Sequence, residues 1–189
     1  MIRFAEKKDA SQAIDLVMIV LKDMELDIFD KLSEDEVKNL LVTSFIEKPT
    51  HRYGYKNALV KEIDGEVAGV AFGYPHHLEK NIDEGFFEIL EQNNLPIEKY
   101  RLFTEEEAFD NEWYLDTLVT SPNHRGKGVA KELLNSLSEL ATQSNLSIIG
   151  LNCDLVNDNA KRIYLNNGFE KSGEIDIAGH RYEHLQKHI

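Results

Sequence analysis

Apolar and polar residues alternate with a helical period in the first quarter of the chain. Apolar residues recur every three or four positions over residues 13–21 and again over residues 37–45, which is typical of helices with one buried face. Asp9 indicates the start of the first helix, and Ser33 with Glu36 three residues later forms a capping-box pattern before the second. We therefore predict two helices near the N-terminus.

The hydrophobic pattern changes to that of strands in the rest of the chain. Two apolar runs flank Asp64 and Gly65, and Asp-Gly between such runs is a strong hairpin signal. Other runs are rich in β-branched, aromatic or aliphatic residues. The predicted strands are Ile2–Ala5, Ala58–Ile63, Glu66–Tyr74, Trp113–Thr120, Leu146–Cys153, Lys171–Ile177 and His180–Gln186.

The segment from Trp113 to Lys131 has the pattern of a strand, a loop and a helix. Gly126 and Gly128 lie in the loop just before apolar residues at helical spacing. The unpaired backbone N–H groups there lie at the positive end of a helix dipole. Glycine lets an anion approach the backbone, and the loop can therefore hold a phosphate or pyrophosphate. An ordinary strand-to-helix turn explains the loop about as well.

Spacing excludes two well-known phosphate-binding loops. A P-loop requires glycine where Ser121 stands, and it requires Ser or Thr after Lys127, where this chain has Gly128. A dinucleotide-binding fingerprint requires glycine at the place of Lys131. The loop therefore belongs to neither class.

Two motifs carry a resemblance to a known family. Arg125, Gly128 and Ala130 match the pattern Arg/Gln-x-x-Gly-x-Gly/Ala, by which the loop resembles motif A of the GNAT superfamily, the acetyl-CoA-dependent N-acetyltransferases. About thirty residues later, Asn-x-x-Ala-x-x-x-Tyr-x-x-x-Gly-Phe is similar to the family's second acetyl-CoA segment. This second motif is matched by Asn157, Ala160, Tyr164, Gly168 and Phe169.

The resemblance implies the fold and the cosubstrate. It implies an α/β (α+β) fold in which a mixed central sheet of about seven strands is flanked by helices, formed by residues 1–189 as one domain. It also implies acetyl-CoA as cosubstrate, no metal, and a strand end that separates from the strand at Leu151 so that pantetheine amides pair with its backbone. The residues then expected to bind acetyl-CoA are Leu118, Val119, Thr120, Arg125, Gly126, Lys127, Gly128, Val129, Ala130, Asn157, Ala160 and Tyr164.

Enzymes of this family transfer the acetyl group by direct attack of an amine in a ternary complex. We expect Tyr164 to protonate the departing thiolate, because a phenol has a pKa close to that of an alkyl thiol. The base is expected to be Glu112 or Asp116, which lie four residues apart on the central strand and therefore share one face. The resemblance favours Glu112, because related enzymes often use an acid at the start of this strand, and Asp116 is the alternative. The resemblance also implies that the N–H of Val119 faces the thioester oxygen. A buried core aromatic is the structural alternative for Tyr164.

Two acidic segments are candidates for the acceptor side. Residues 23–30 connect the two N-terminal helices, and residues 76–112 form an insertion before the central strand. From Glu79 to Glu112 there are eleven acidic residues against three basic ones. We interpret the insertion as lining the substrate side, with a solvated acidic flap as the alternative.

Composition and net charge limit the classes of molecule that the protein is expected to bind. The 189 residues carry a formal net charge of −13, which disfavours nucleic acid and membrane surfaces as partners and suits a cationic amine. The single cysteine, Cys153, fits a reducing cytoplasm and a buried strand position. His76 and His77 lack a second ligand cluster and indicate surface residues rather than a metal site. A homodimer is left open.

The sequence therefore favours an N-acetyltransferase acting on a small-molecule primary amine. A protein acetyltransferase acting on lysine or an N-terminus is a second interpretation. A catalytically silent domain that binds acyl-CoA as a sensor is a third, and the presence of Tyr164 in the matched motif argues against it.

Overall fold

The computed structural model describes all residues, 1–189, and contains a seven-stranded sheet. The strands are β1 (Ile2–Phe4), β2 (Ala58–Ile63), β3 (Glu66–Pro75), β4 (Trp113–Thr120), β5 (Ile148–Asp154), β6 (Glu170–Ile177) and β7 (His180–His188). Their order in the sheet is β1-β2-β3-β4-β5-β7-β6. Neighbours are antiparallel except β4 and β5, which are parallel. The predicted fold class is confirmed.

Helices cover both faces of the sheet. They are α1 (Ala10–Asp23), α2 (Glu34–Glu47), α3 (Glu84–Gln92), α4 (Ile97–Tyr100), α5 (Val129–Gln143) and α6 (Asp158–Asn166). The buried stripes of α1, α2 and α3 pack with sheet residues such as Val70 and Phe72 in one core. Leu133 and Leu137 of α5 pack in a second core with Leu115 and Ile149. No helix is both long enough and apolar enough to cross a membrane.

Local capping and turn signals are confirmed at most positions. The Ser33 hydroxyl accepts a hydrogen bond from the Glu36 amide, and the Glu36 carboxylate accepts one from the Ser33 amide. Asp64 and Gly65 both have positive φ, as a two-residue hairpin turn requires. Helix α1 begins directly after Asp9, as predicted. The Asp9 carboxylate does not cap the helix, however, and instead forms an ion pair with Arg3 at 2.7 Å.

Strands β4 and β5 part soon after they meet. Only Trp113 with Ile149 and Tyr114 with Gly150 are paired, so the strands have separated before Leu151, as expected. The rest of β4 remains paired with β3 on its other side. A gap therefore opens in the middle of the sheet, beside the C-terminal half of β4.

The insertion at residues 76–112 is largely part of the folded core. Phe86, Ile89 and Leu90 of α3 are buried with α1 and α2 rather than exposed as a solvated flap would be. Phe103 and Glu107, in the last third of the insertion, line a cavity beside the C-terminal half of β4. The amphipathic pattern of α3 explains this, since its apolar face has to be covered.

Candidate functional site

Two cavities flank the end of β4. The larger, which we call the loop cavity, has a volume of about 730 Å³ and is lined by the end of β4, the loop before α5, the start of α5, and α6. All of the residues predicted to bind acetyl-CoA line it except Lys127, which is exposed and points elsewhere. The lining residues on the predicted list are Leu118, Val119, Thr120, Arg125, Gly126, Gly128, Val129, Ala130, Asn157, Ala160 and Tyr164.

The loop before α5 has the backbone that an anion site needs. Gly126 and Gly128 have φ of 76° and 78°, in the left-handed region that favours glycine, and a Cβ at either position would meet nothing within 4 Å. Gly128 is the N-cap of the fifteen-residue helix α5, whose first N–H groups have no partner within the helix. The exposed Arg125 adds positive charge on the cavity wall. The residues present therefore fit a bound phosphate group.

The smaller cavity, which we call the acidic cavity, has a volume of about 300 Å³ and lies beyond the end of the loop cavity. Its wall combines carboxyls with aromatic rings from the loop after α2, from β4, β7 and α6, and from the insertion. Leu118, Asn157, Ala160 and Tyr164 line both cavities. The two cavities are therefore adjacent, and these side chains mark where they meet.

Tyr164 lies at this junction on α6. The Asn157 side chain accepts a hydrogen bond of 3.0 Å from the Ala160 amide at the start of the helix, and Gly168 (φ 87°) follows its end, so both predicted helix signals are present. The Tyr164 ring packs against Phe169 with centroids 5.9 Å apart. Burial raises the pKa of its phenol, which keeps the hydroxyl protonated at neutral pH but weakens it as an acid.

The strand register corrects the role expected of the Val119 amide. The Ser121 amide donates to the Ala68 carbonyl at 2.9 Å, and Val119 lies opposite Val70. Because N–H directions alternate along an antiparallel strand, the Val119 amide also points toward β3. The amides directed into the gap between β4 and β5 are those of Leu118 and Thr120.

Glu112 does not reach either cavity, which corrects its expected role as the base. Its side chain is 0% exposed and lies over Gly150, where an added Cβ would come within 1.9 Å of the carboxylate. The carboxylate accepts hydrogen bonds from the Phe109 amide (2.8 Å), His184 Nε2 (2.9 Å) and Gln186 Nε2 (2.8 Å). A carboxylate sealed and bonded in this way stabilises the fold and has no route to a substrate.

His184 extends this group toward the acidic cavity. Asn152 Nδ2 donates to the Glu107 carbonyl and to the Tyr114 hydroxyl, so Asn152 Oδ1 is the atom that faces His184 Nδ1 at 2.6 Å. The two nitrogens of the His184 ring thus bridge Asn152 Oδ1 and the Glu112 carboxylate. The ring is fully buried, with the Phe109 ring stacked on it at 3.6 Å.

Asp116 lines the acidic cavity, but its charge is compensated. The register of β3 and β4 shifts at this point, which makes Asp116 the extra residue of a β-bulge. Its carboxylate forms an ion pair with the buried Arg52 and accepts hydrogen bonds from Tyr74 (3.3 Å) and Thr117 (2.9 Å). Arg52 also binds Asp83 at 3.0 Å and stacks on Phe103.

Glu107, one of the acidic residues of the insertion, lies in the wall of the acidic cavity. Its side chain accepts a hydrogen bond of 2.8 Å from the Tyr114 hydroxyl at Oε2, whereas Oε1 is buried and has no partner. Burial and the charge of Asp116 raise the pKa of Glu107 to about 7. Nothing local distinguishes Glu107 from Glu105 and Glu106 in the sequence, because its burial depends on distant residues.

Cys153 also lies in the wall of the acidic cavity. It is buried as expected, and desolvation raises the pKa of its thiol to about 11, so it is not a reactive thiolate. No group of three or more His, Cys, Asp or Glu side chains is arranged to hold a metal ion.

Comparisons with known proteins agree with this geometry. The family model described as "Acetyltransferase (GNAT) family" matches residues 23–169. A crystal structure of an acetyltransferase is similar over 100% of this chain and 99% of its own, with 43% identity and a TM-score of 0.90. An N-acetyltransferase from Staphylococcus aureus Mu50 is similar over 98% of this chain and 99% of its own, with 33% identity and a TM-score of 0.87.

A more distant structure shares only the fold. It is a PaiA N-acetyltransferase from Thermoplasma acidophilum in complex with coenzyme A, with 16% identity, 100% coverage of this chain, 98% of its own and a TM-score of 0.58. A search of curated protein sequences returned no match.

Proposed function

Since the chain belongs to the GNAT family of acetyltransferases, we propose that it transfers the acetyl group of acetyl-CoA to the primary amine of a small molecule. One observation carries the proposal. A cavity with an anion-binding helix terminus meets a second, acidic cavity at the hydroxyl-bearing Tyr164. The first suits a phosphate-bearing donor and the second an amine, so the two substrates would meet at that residue.

The loop cavity provides the groups that acetyl-CoA requires. Amides at the start of α5 and the exposed Arg125 would bind its phosphates, and the amides of Leu118 and Thr120 would pair with its pantetheine arm. Acetyl-CoA supplies an activated acetyl thioester. Tyr164, at the junction, would donate a proton to the sulfur as it leaves.

The acidic cavity supports a small acceptor. Its volume of about 300 Å³ is at the lower end for ligand pockets, and its wall includes several carboxyls and tyrosines. Negative charge in such a cavity concentrates ammonium groups near the reacting position. A protein acceptor would have to insert a single side chain or N-terminus into the same space.

Steady-state release of CoA with a panel of acceptors tests the proposal. The panel holds alkylamines, polyamines, amino acid amides, a lysine peptide and a peptide with a free N-terminus, and we expect turnover with at least one small amine. Turnover with the peptides alone would overturn the small-molecule acceptor. Acetyl-CoA binding without turnover on any amine would overturn enzymatic transfer and favour a sensor.

A further inference from the structure

We propose that Glu107 is the catalytic base, which takes the proton from the acceptor's ammonium group before attack. This inference rests on the proposed acetyl transfer and names the residue that makes the amine reactive. An ammonium group has no lone pair, so one of its protons has to leave first. The carboxyls of Asp23, Glu107, Asp116 and Asp154 line the acidic cavity, and Glu79 and Asp83 bind residues beside it; they differ in burial and in what already binds them.

Three of the other carboxyls are occupied. Asp116 is paired with Arg52, and Asp83 binds the same guanidinium. Glu79 accepts hydrogen bonds from the amides of Glu107 and Ala108, at 2.8 and 3.1 Å, and so holds the end of the insertion in place. The two remaining wall carboxyls are less buried: Asp23 is exposed at the end of α1, and Asp154 is half-buried and accepts a hydrogen bond from the Val156 amide at 3.0 Å.

Glu107 is the one buried carboxyl of the cavity wall that has an oxygen without a partner. Its side chain is 7% exposed, it forms part of the cavity wall, and Oε1 has no partner. A buried carboxylate oxygen without a partner is costly, and an ammonium group entering the cavity would supply the missing donor. Around Glu107 the carboxyls of Glu79, Asp83 and Asp116 outnumber the one neighbouring cation, Arg52, so negative charge is in excess, which favours a cationic acceptor.

The charged and titratable groups around Glu107 come from every side of the cavity. They are Asp23 on α1, Arg52 and Tyr53 after α2, Tyr74 on β3, Glu79 in the insertion, Tyr114 and Asp116 on β4, Cys153 and Asp154 on β5, Tyr164 on α6, and His180 and Tyr182 on β7. Burial and the charge of Asp116 act to keep Glu107 protonated, whereas Arg52 and the Tyr114 hydrogen bond act in the opposite direction. The resulting pKa of about 7 suits a base that works near neutral pH.

Atoms and charges balance in the proposed transfer. The Glu107 carboxylate takes one proton from R–NH3⁺ and later returns it to solvent. The nitrogen then forms a bond to the acetyl carbon, the carbon–sulfur bond breaks, and the nitrogen loses a second proton. Tyr164 gives a proton to the sulfur. The second proton lost by the nitrogen then reprotonates Tyr164 through water. The products are an amide, CoA-SH and one proton released to solvent.

Glu107→Gln tests the assignment, because it keeps the shape and removes the basic oxygen. In the wild-type protein, kcat/KM should rise with pH through about 7, the pKa of Glu107. In the variant, kcat/KM should fall roughly 10²-fold or more and this rise should disappear, leaving only the rise due to the amine's own ionisation. The Kd for acetyl-CoA should not change, and the exposed neighbour change Glu106→Gln should leave the profile intact.

A second measurement is independent of activity. The folded-state pKa of Glu107 lies above its ordinary value of 4.5, so its ionisation destabilises the fold as pH rises from about 4.5 through 7. The Tm of Glu107→Gln relative to wild type should therefore be higher at pH 8 than at pH 5, by about 5 °C or more. Glu106→Gln should show no such difference.

The outcomes separate the two proposals. Wild-type turnover together with an unchanged pH profile in Glu107→Gln would overturn the base and leave acetyl transfer standing. A Tm difference that does not change with pH would overturn the perturbed carboxyl. Absence of turnover with every amine would overturn the proposed function itself.

Discussion

The loop cavity and the acidic cavity are adjacent but are built in different ways. The loop cavity is formed by backbone at the end of a strand and at the start of α5, and many of its side chains are exposed or half-buried. The acidic cavity is formed by side chains that bond across long sequence distances, such as Arg52 to Asp116. The first depends on local conformation and the second on the integrity of the whole sheet, so changes to them should have different effects.

The largest expected effect is on stability, at Glu112. Glu112→Ala would leave the buried His184 ring and the Gln186 and Phe109 donors without the carboxylate that they share. We expect the free energy of unfolding at pH 7, measured in urea, to fall by about 3–5 kcal/mol. Glu106→Ala, on the exposed surface, should change it by less than about 0.5 kcal/mol. A loss under about 1 kcal/mol at Glu112 would contradict the network.

Tyr164→Phe should act on the chemical step and not on the fold. The ring keeps its packing against Phe169, but the proton for the departing sulfur is lost. We expect kcat to fall roughly 10²-fold in the amine assay, with the acetyl-CoA Kd and the Tm unchanged. Normal turnover with a lowered Tm would show that Tyr164 serves only to pack the core.

Gly128→Val tests the backbone of the loop cavity. A β-branched residue is strained at φ 78°, and its side chain would stand in the space near the helix terminus. We expect the acetyl-CoA Kd, measured by calorimetry, to rise about tenfold or more. Gly65→Val is the matched control, because Gly65 has φ 81° and open surroundings but lies in the β2–β3 turn. An equal Kd in both variants would contradict the site.

The smallest expected effect separates two neighbouring cations. Arg125 lines the loop cavity and Lys127 does not, although both are exposed. Loss of one charge-assisted hydrogen bond of about 1 kcal/mol corresponds to roughly a fivefold rise in Kd, which we expect for Arg125→Ala. Lys127→Ala should change the Kd less than twofold. Equal losses, both vanishing at high salt, would indicate a diffuse field rather than a contact.

Sequence reasoning was most informative where structure is decided locally. The hairpin at Asp64 and Gly65, the cap at Asn157 and the glycine loop before α5 each depend on a few adjacent residues, and each is present in the structure. The lining of the loop cavity was predictable for the same reason. Lys127 was the exception, because the direction of a single exposed side chain is not encoded in a motif.

The acidic cavity could not be predicted in this way. Glu112 meets His184 across 72 positions, and Arg52 meets Asp116 across 64. The bulge at Asp116 also breaks the alternation from which a shared face with Glu112 was expected. Of the three consecutive glutamates at 105–107, the first two are exposed and the third is buried, because the fold and not their neighbours in sequence decides which of them is buried.

The parting of β4 from β5 puts a free sheet edge at the centre of the molecule rather than at its margin. A free edge can pair with a strand of another chain, and this one instead borders the loop cavity, between two strands of the same sheet. The amides of Leu118 and Thr120 are two residues apart, about 6.8 Å along an extended strand. A ligand that accepts hydrogen bonds from these two amides is bound through the backbone, as an added peptide strand would be, and the side chains at the two positions take no part in those bonds. Proline at either position would remove the N–H and with it the hydrogen bond.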